Sequence, residues 1–188
     1  MAVRRIVYCG DARLRRKAQR VREISDDLHE LLDEMRETML EADGLGLAGA
    51  LVGECLAVVV VRADSEGTEV IDLINPRIVE QEGEQDGHEG CLSLPTLRGM
   101  VLRPSRVVVE AFDREGEEIE VEGEGLMARC LAHELDHLQG RLFIDAVDPE
   151  SLAWLRPDRR EDSGYRVEPT TLAEAQEAFD RLRSGREE

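Results

Sequence analysis

The residues best suited to chemistry lie in the run HELDH at 133–137. Two histidines four residues apart share one face of a helix, so His133 and His137 can bind one metal ion. Glu134 lies one step round the helix and can handle the proton of a metal-bound water. Leu126 and Cys130 continue the same spacing, which predicts one inward-facing stripe. Imidazoles on a core-facing stripe need a partner, and a metal ion provides one.

A catalytic metal site usually has three protein ligands and one position open for water. Downstream, Asp145 and Asp148 can supply the third ligand, as in a zincin-like peptidase. Upstream, Cys91 lies in the run EGCLS at 89–93, where a thiolate can complete a Cys-His-His set and is stabilised by the metal. The residues alone leave both alternatives open.

The remaining patterns predict the elements that position these residues. Ser25 followed by two aspartates starts a helix that runs to about Ala42, and Asp11 favours a short helix reaching residues 16–20. Strands are predicted over 56–61, 69–73 and 77–80, with an Asn75-Pro76 turn between the last two, and a hairpin over 107–121. The histidine helix ends near Gly140. This order predicts an α+β fold with helices packed on antiparallel sheet.

The chain divides into a predicted catalytic domain over 1–150 and a tail over 151–188. Polar residues at 151–169 predict a loop or linker. Thr171 and Glu174 form a capping box that starts a C-terminal helix ending near Gly185. Its apolar stripe is Leu172, Ala175, Phe179 and Leu182.

Composition indicates a soluble, cytoplasmic protein whose cysteines are reduced. The chain has 188 residues, of which 41% are hydrophobic and 35% charged, with no signal peptide or membrane-length apolar run. Its four cysteines include no C-x-x-C pair. The net charge of -18 works against binding to DNA or an anionic membrane, although it does not exclude a local basic patch.

Three runs resemble the signature motifs of peptide deformylases: GLGLAGAL at 44–51, EGCLS at 89–93 and HELDH at 133–137. They occur in the order and at the spacing of that family, and the resemblance extends over about 4–148. It implies antiparallel sheets packed around a central HExxH helix. It also implies one divalent ion on Cys91, His133 and His137, often Fe²⁺, with Zn²⁺, Ni²⁺ or Co²⁺ able to replace it.

By this resemblance the chain removes the formyl group from N-formylmethionine at the start of new polypeptides. A metal-bound water is the nucleophile, Glu134 the general acid and base, and the backbone N–H of Leu92 helps to hold the oxyanion. Gly44, Leu45 and Gly46 line the substrate backbone, Arg98 lies near its exit, and Leu45, Leu126 and Cys130 surround the methionine side chain. The full substrate-binding set implied is Gly44, Leu45, Gly46, Glu89, Gly90, Arg98, Leu126 and Cys130.

Two positions depart from the family pattern. Leu51 and Ala132 stand where the family has glutamine, and the first of those glutamines donates to the oxyanion. Losing one such donor costs about 10² to 10³ in rate, which predicts a slow deformylase or an altered formamide substrate. A non-catalytic relative that binds N-termini is the alternative.

Ribosome association is expected of an enzyme that acts on new chains. The tail from Ser151 gives this expectation little support, because it carries seven arginines against nine acids and is therefore not a basic RNA-docking tail.

Overall fold

The computed structural model describes residues 2–63 and 69–184, which form two antiparallel sheets and three α-helices. The first sheet has the order β1-β2-β3-β6-β7 and the second the order β4-β5-β8-β9. In chain order the elements are α1 (Asp26–Glu41), β1 (Gly46–Ala48), β2 (Val58–Arg62), β3 (Val70–Glu82), β4 (Gln85–Cys91), β5 (Leu94–Arg103), β6 (Arg106–Phe112), β7 (Glu118–Glu124), α2 (Leu126–Leu138), β8 (Ala153–Pro157), β9 (Tyr165–Pro169) and α3 (Leu172–Ser184).

Helix α2 is the centre of the fold, as the family resemblance implies. Its buried residues occupy nearly every position after the first turn, and it contacts strands of both sheets. A helix that is buried on most of its circumference belongs to the interior of a domain. Gly123 of β7 permits this close packing, since a Cβ there would lie 2.9 Å from Cδ1 of Leu131 and 3.0 Å from the backbone N of Ala128.

Helix α1 and the neighbouring strands form where the sequence predicts them. The Ser25 hydroxyl accepts a hydrogen bond from the N–H of Leu28 at 3.3 Å, and the apolar positions of α1 are buried. The four valines of β2 are fully buried, and this strand contacts both α1 and α2. The predicted hairpin is β6 and β7, with Val109 paired to Val121.

The predicted turn at Asn75-Pro76 is wrong, because β3 continues through it. Asn75 has φ 55° and the register with β6 shifts between Ile74 and Arg77, so the feature is a bulge. The Asn75 side chain accepts from the N–H of Val21 at 2.8 Å and donates to its C=O at 2.9 Å. Asparagine tolerates the left-handed region, and this bulge ties the N-terminal segment to the sheet.

The N-terminal helix also differs from its prediction, being a single 3-10 turn over Ala12–Arg15. The chain then runs extended, because its backbone bonds to the body of the protein. The N–H of Ala18 donates to the C=O of Leu138 at 2.9 Å, and the N–H of Gln19 donates to the C=O of Cys55 at 2.7 Å. These long-range bonds replace the local ones of a helix.

The prediction of a loop over 151–169 is wrong for much of its length. Strand β8 pairs with β5, Leu97 opposite Trp154, and then with β9. Helix α3 packs on this hairpin through Phe179, whose ring centroid is 5.6 Å from that of Trp154. The predicted capping box is present, with the N–H of Glu174 donating to the Thr171 hydroxyl at 3.2 Å. Gly185 and the Leu182 side chain lie outside the described residues, and the division at residue 150 stays a prediction.

None of the described helices is long and apolar enough to cross a membrane.

Candidate metal centre

The end of β4 and the last two turns of α2 bring together Cys91, His133 and His137. Their ligand atoms all lie within 4.8 Å of one another. Sγ of Cys91 is 3.4 Å from Nε2 of His137, and the two imidazole rings stand nearly perpendicular with centroids 4.7 Å apart. In the described part of the chain this is the one cluster of three or more such side chains.

The two aspartates weighed as alternative ligands lie elsewhere. Asp145 is ion-paired with Arg15 and caps the turn after Leu142, and Asp148 caps the turn at Glu150. The zincin-like alternative therefore has no third ligand among the described residues at the histidine pair.

The Nδ1 atoms of both histidines are used by the protein itself. Nδ1 of His133 donates to Oε2 of Glu89 at 2.8 Å, and Nδ1 of His137 donates to the C=O of Arg141 at 3.1 Å. Such partners fix the tautomer and orientation of a metal-binding imidazole. Nε2 of each ring is consequently the atom left for a metal ion.

Glu89 contacts the metal-binding His133 from the protein interior and does not lie in the substrate site, where the resemblance placed it. Its carboxylate is only 5% exposed and accepts bonds from Arg103 at 2.8 and 3.0 Å and from Arg129 at 2.9 Å. Burial alone would raise the pKa of this carboxyl, but the bonds from His133 and Arg103 outweigh it and lower the pKa to about 2. Glu89 is therefore an ionised group that orients His133.

Arg103 and Arg129 are functional residues that the sequence reasoning missed. Arg129 also donates to the C=O groups of Gly87, Val101 and Gln85 and thereby holds β4 and β5 against α2. A signal was available, because Arg129 precedes His133 by four residues and a buried arginine requires an acidic partner.

The electrostatics of the cluster favour a cation. Burial opposes a charge on His133, but its bonds to Cys91 and Glu89 prevail and raise its pKa to about 10. Burial and the neighbouring His133 lower the pKa of His137 well below its usual value, which leaves a neutral ring of the kind a metal requires. A thiol and two imidazoles also form a donor set suited to Fe²⁺ or Zn²⁺. The residues present therefore fit a divalent ion.

Glu134 lies beside the three ligands and is 5% exposed. Its Oε2 has no hydrogen-bond partner in the described residues. Burial raises the pKa of this carboxyl to about 7, against the opposing effect of His133. A group with that pKa both accepts and releases a proton near neutrality.

Strand β1 packs directly against Glu134. A Cβ on Gly46 would lie 2.7 Å from Cγ of Glu134 and 2.9 Å from Sγ of Cys130, and one on Gly44 would lie 3.2 Å from Cδ1 of Leu92. β1 is an edge strand of the first sheet, so its outer side has no strand partner among the described residues. An extended peptide can bind to such an edge by backbone hydrogen bonds.

The other predicted contact residues surround this edge. Leu45, Gly90 and Arg98 are exposed, and Cys130 is buried, where desolvation raises the pKa of its thiol. Leu126 is 63% exposed, so its place in the inward stripe was wrong: it is the first residue of α2, at the rim.

The two departures from the family pattern are both buried. Leu51 lies in the 3-10 turn Gly49–Val52, and Ala132 lies on α2. Neither side chain can donate a hydrogen bond.

Comparison with known proteins decides the family. A family model described as polypeptide deformylase matches residues 3–152. The chain belongs to the polypeptide deformylase family. This confirms the resemblance and the prediction that the chain is an enzyme, and it places the centre described above in a family of metalloenzymes.

Relatives of this family match the chain over most of their length. A peptide deformylase of Acetivibrio thermocellus is 53% identical over 147 residues, 78% of this chain and 85% of that protein. The crystal structure of a deformylase from Legionella pneumophila matches with a TM-score of 0.78 and 36% identity over 97% of this chain and 98% of that one. A Met-Ala-Ser-bound deformylase from Acinetobacter baumannii matches with a TM-score of 0.72 and 33% identity over 78% of this chain and 99% of that one. The predicted fold class is thereby confirmed.

Proposed function

We propose that this deformylase hydrolyses the formamide of N-formylmethionyl peptides with a divalent ion, Fe²⁺ or Zn²⁺, held by Cys91, His133 and His137. The observation that carries the proposal is the buried Oε2 of Glu134, which has no partner among the described residues, beside a Cys-His-His cluster. When bound, the ion would act as a Lewis acid that polarises the formyl oxygen and makes water nucleophilic near neutral pH.

Substrate alignment is the task of β1 and the turn after β4. The free edge of β1 offers the backbone of Gly46 to an extended peptide. Gly44 and Leu45 precede it along the same path, although the C=O of Leu45 already accepts from the N–H of Arg62 and the N–H of Gly44 donates to the C=O of Met39, both at 2.9 Å. Gly90 and Arg98 flank the path that the peptide takes beyond its first residue. The A. baumannii relative that holds Met-Ala-Ser supports a peptide ligand of this length.

The methionine side chain has a mostly apolar environment to enter. Leu45 and Leu126 are exposed at the rim, and Cys130 lies beneath Gly46, where burial keeps its thiol protonated and weakly polar. These three residues would select an unbranched apolar side chain through burial of its methylenes.

Proton transfer belongs to Glu134. Its carboxylate takes the proton released as water attacks the formyl carbon and gives it to the departing amine, which its pKa of about 7 permits. The Leu92 N–H would donate to the oxyanion. Leu51 offers no second donor, which supports a rate about 10² to 10³ below that of a deformylase with glutamine there.

The proposal is tested with formyl-Met-Ala-Ser under anaerobic conditions, with the metal content measured on the same sample. Glu134→Gln should keep the metal and lose about 10² to 10⁴ in kcat. Cys91→Ala should lose the metal itself. Full activity in metallated Glu134→Gln would contradict the proposal.

A further inference from the structure

Positive charge in this acidic protein is concentrated in the segment 13–22, RLRRKAQRVR. It holds six cationic residues and no acid, whereas the whole chain has 42 acids against 24 cations. The only lysine of the chain, Lys17, lies within it. We call this segment the basic strap, because after the 3-10 turn that ends at Arg15 it runs extended and is tied to the body of the protein by its own backbone.

The backbone of the basic strap is fixed while its charged side chains point to solvent. Ala18, Gln19 and Val21 make the hydrogen bonds to the body of the protein. All six cationic side chains are exposed. Arg13 and Arg15 are ion-paired with Asp11 and Asp145, but no ion pair to a described residue holds Arg16, Lys17, Arg20 or Arg22.

Three of these four cations, Lys17, Arg20 and Arg22, border two adjoining concavities. Lys17 and Arg20 line a cavity of about 420 Å³ together with Arg77, Glu110 and Glu118. Arg77 and Glu110 are ion-paired, so the two strap cations face one unpaired acid there. Arg20 and Arg22 line a second cavity of about 340 Å³ together with Glu23, Asp27 and the ion-paired Arg4 and Glu54, and the shared Arg20 joins the two cavities into one path.

A partner for this path must present a line of anionic groups. Residues 16–22 in extended form span at most about 20 Å, too far for a single small phosphate ligand but enough to follow several phosphates of a nucleic acid backbone. The net charge of the protein does not prevent this, since charges more than about 8 Å away are largely screened at physiological salt.

An anionic membrane fits the basic strap less well than a nucleic acid does. Membrane-bound segments add apolar anchors to their cations, and none of the large exposed apolar side chains in the described residues lies within 13–22. Leu14 is buried. Cations without apolar anchors suit the row of phosphates along a nucleic acid backbone.

We propose that the basic strap, through Arg16, Lys17, Arg20 and Arg22, is a docking surface for the phosphate backbone of structured RNA. Four phosphate contacts give a definite salt dependence. Each contact contributes roughly 0.9 to the slope of log affinity against log salt concentration, so the affinity should fall by about two orders of magnitude between about 50 and 200 mM salt.

The test measures binding of a fluorescein-labelled RNA hairpin by anisotropy over this salt range. The variant Arg16→Ala/Lys17→Ala/Arg20→Ala should bind at least tenfold more weakly at low salt and lose about 3 from the salt slope. The matched control removes three exposed arginines of the tail, Arg159, Arg160 and Arg166, and should bind within about twofold of the parent chain. Both variants should keep their rate on formyl-Met-Ala-Ser.

A second measurement uses the single lysine. Acetylation of Lys17 by an N-hydroxysuccinimide ester, followed by mass spectrometry, should slow at least fivefold when the hairpin is bound. Equal loss of RNA binding in the two variants, no slowing at Lys17, or binding to phosphatidylglycerol vesicles without binding to the hairpin would each overturn the proposal.

Discussion

Replacement of Glu89 by glutamine separates two roles that the structure gives to one carboxylate. Glu89 neutralises Arg103 and Arg129, whose side chains are each only 8% exposed, and it also accepts the Nδ1–H of His133. Removal of one partner from a buried ion pair costs about 3 to 5 kcal/mol of unfolding free energy. Loss of the partner that orients a metal-binding histidine lowers metal affinity by about 10- to 100-fold.

The chain offers a matched control for the first effect. Asp72 is a second buried carboxylate with two arginine partners, Arg36 at 2.6 Å and Arg114 at 2.7 Å, but it takes no part in the metal centre. Asp72→Asn should therefore lower the unfolding free energy, by about 1 to 3 kcal/mol because its arginines are partly exposed, and leave metal affinity unchanged.

The assay has two parts. Urea unfolding with a chelator present measures the stability of the chain alone, and competition with a chromophoric chelator measures Zn²⁺ affinity. Glu89→Gln should lower both the stability and the Zn²⁺ affinity, whereas Asp72→Asn should lower the stability alone. If the Zn²⁺ affinity of Glu89→Gln stayed within about twofold of the parent, the loss would be far smaller than expected. That result would refute the assignment of Glu89 as the residue that orients His133.

Three other substitutions test neighbouring parts of the account. Leu51→Gln should raise kcat/KM on formyl-Met-Ala-Ser by up to about 10², and an unchanged rate would show that a missing donor at this position does not limit the reaction. Gly46→Ala should lower kcat by at least about tenfold and the unfolding free energy by about 1 to 3 kcal/mol, because its methyl would displace Glu134 and Cys130. Gly90→Ala, with no atom closer than 3.4 Å to its Cβ, should be fully stable. Wild-type kcat in Gly46→Ala would contradict the packing described. Trp154→Ala should lower the unfolding free energy by about 3 to 5 kcal/mol in urea titrations, whereas a loss below about 1 kcal/mol would mean that β8 and α3 are not part of the core.

The parts of the centre that the sequence predicted are those with local spacing. His133, Glu134 and His137 lie within two turns of one helix, so their common face follows from helical geometry. Cys91 lies 42 residues before His133. Spacing alone did not separate it from Asp145 and Asp148 as the third metal ligand, and only the family resemblance favoured it. Glu89 was picked out with the right motif but the wrong role, because the arginines that enclose it come from β5 and α2.

The difference between local and long-range signals also explains which parts of the fold were predicted. The β6–β7 hairpin has a local turn and was predicted, whereas β8 and β9 are short and depend on partners, β8 on the distant strand β5 and β9 on β8. Asn75 was predicted to lie in a turn because asparagine followed by proline is a local turn signal. Its bonds to Val21, which make the site a bulge, join residues 54 positions apart and leave no trace in a local pattern.

X-ray absorption at the metal edge of the Zn²⁺- or Fe²⁺-loaded protein tests the centre most directly. The account predicts one sulfur and two imidazole nitrogens, at about 2.3 Å and 2.0 to 2.1 Å for Zn²⁺, with the sulfur lost in Cys91→Ser. A spectrum without sulfur in the parent chain, or one that keeps its sulfur in Cys91→Ser, would contradict it.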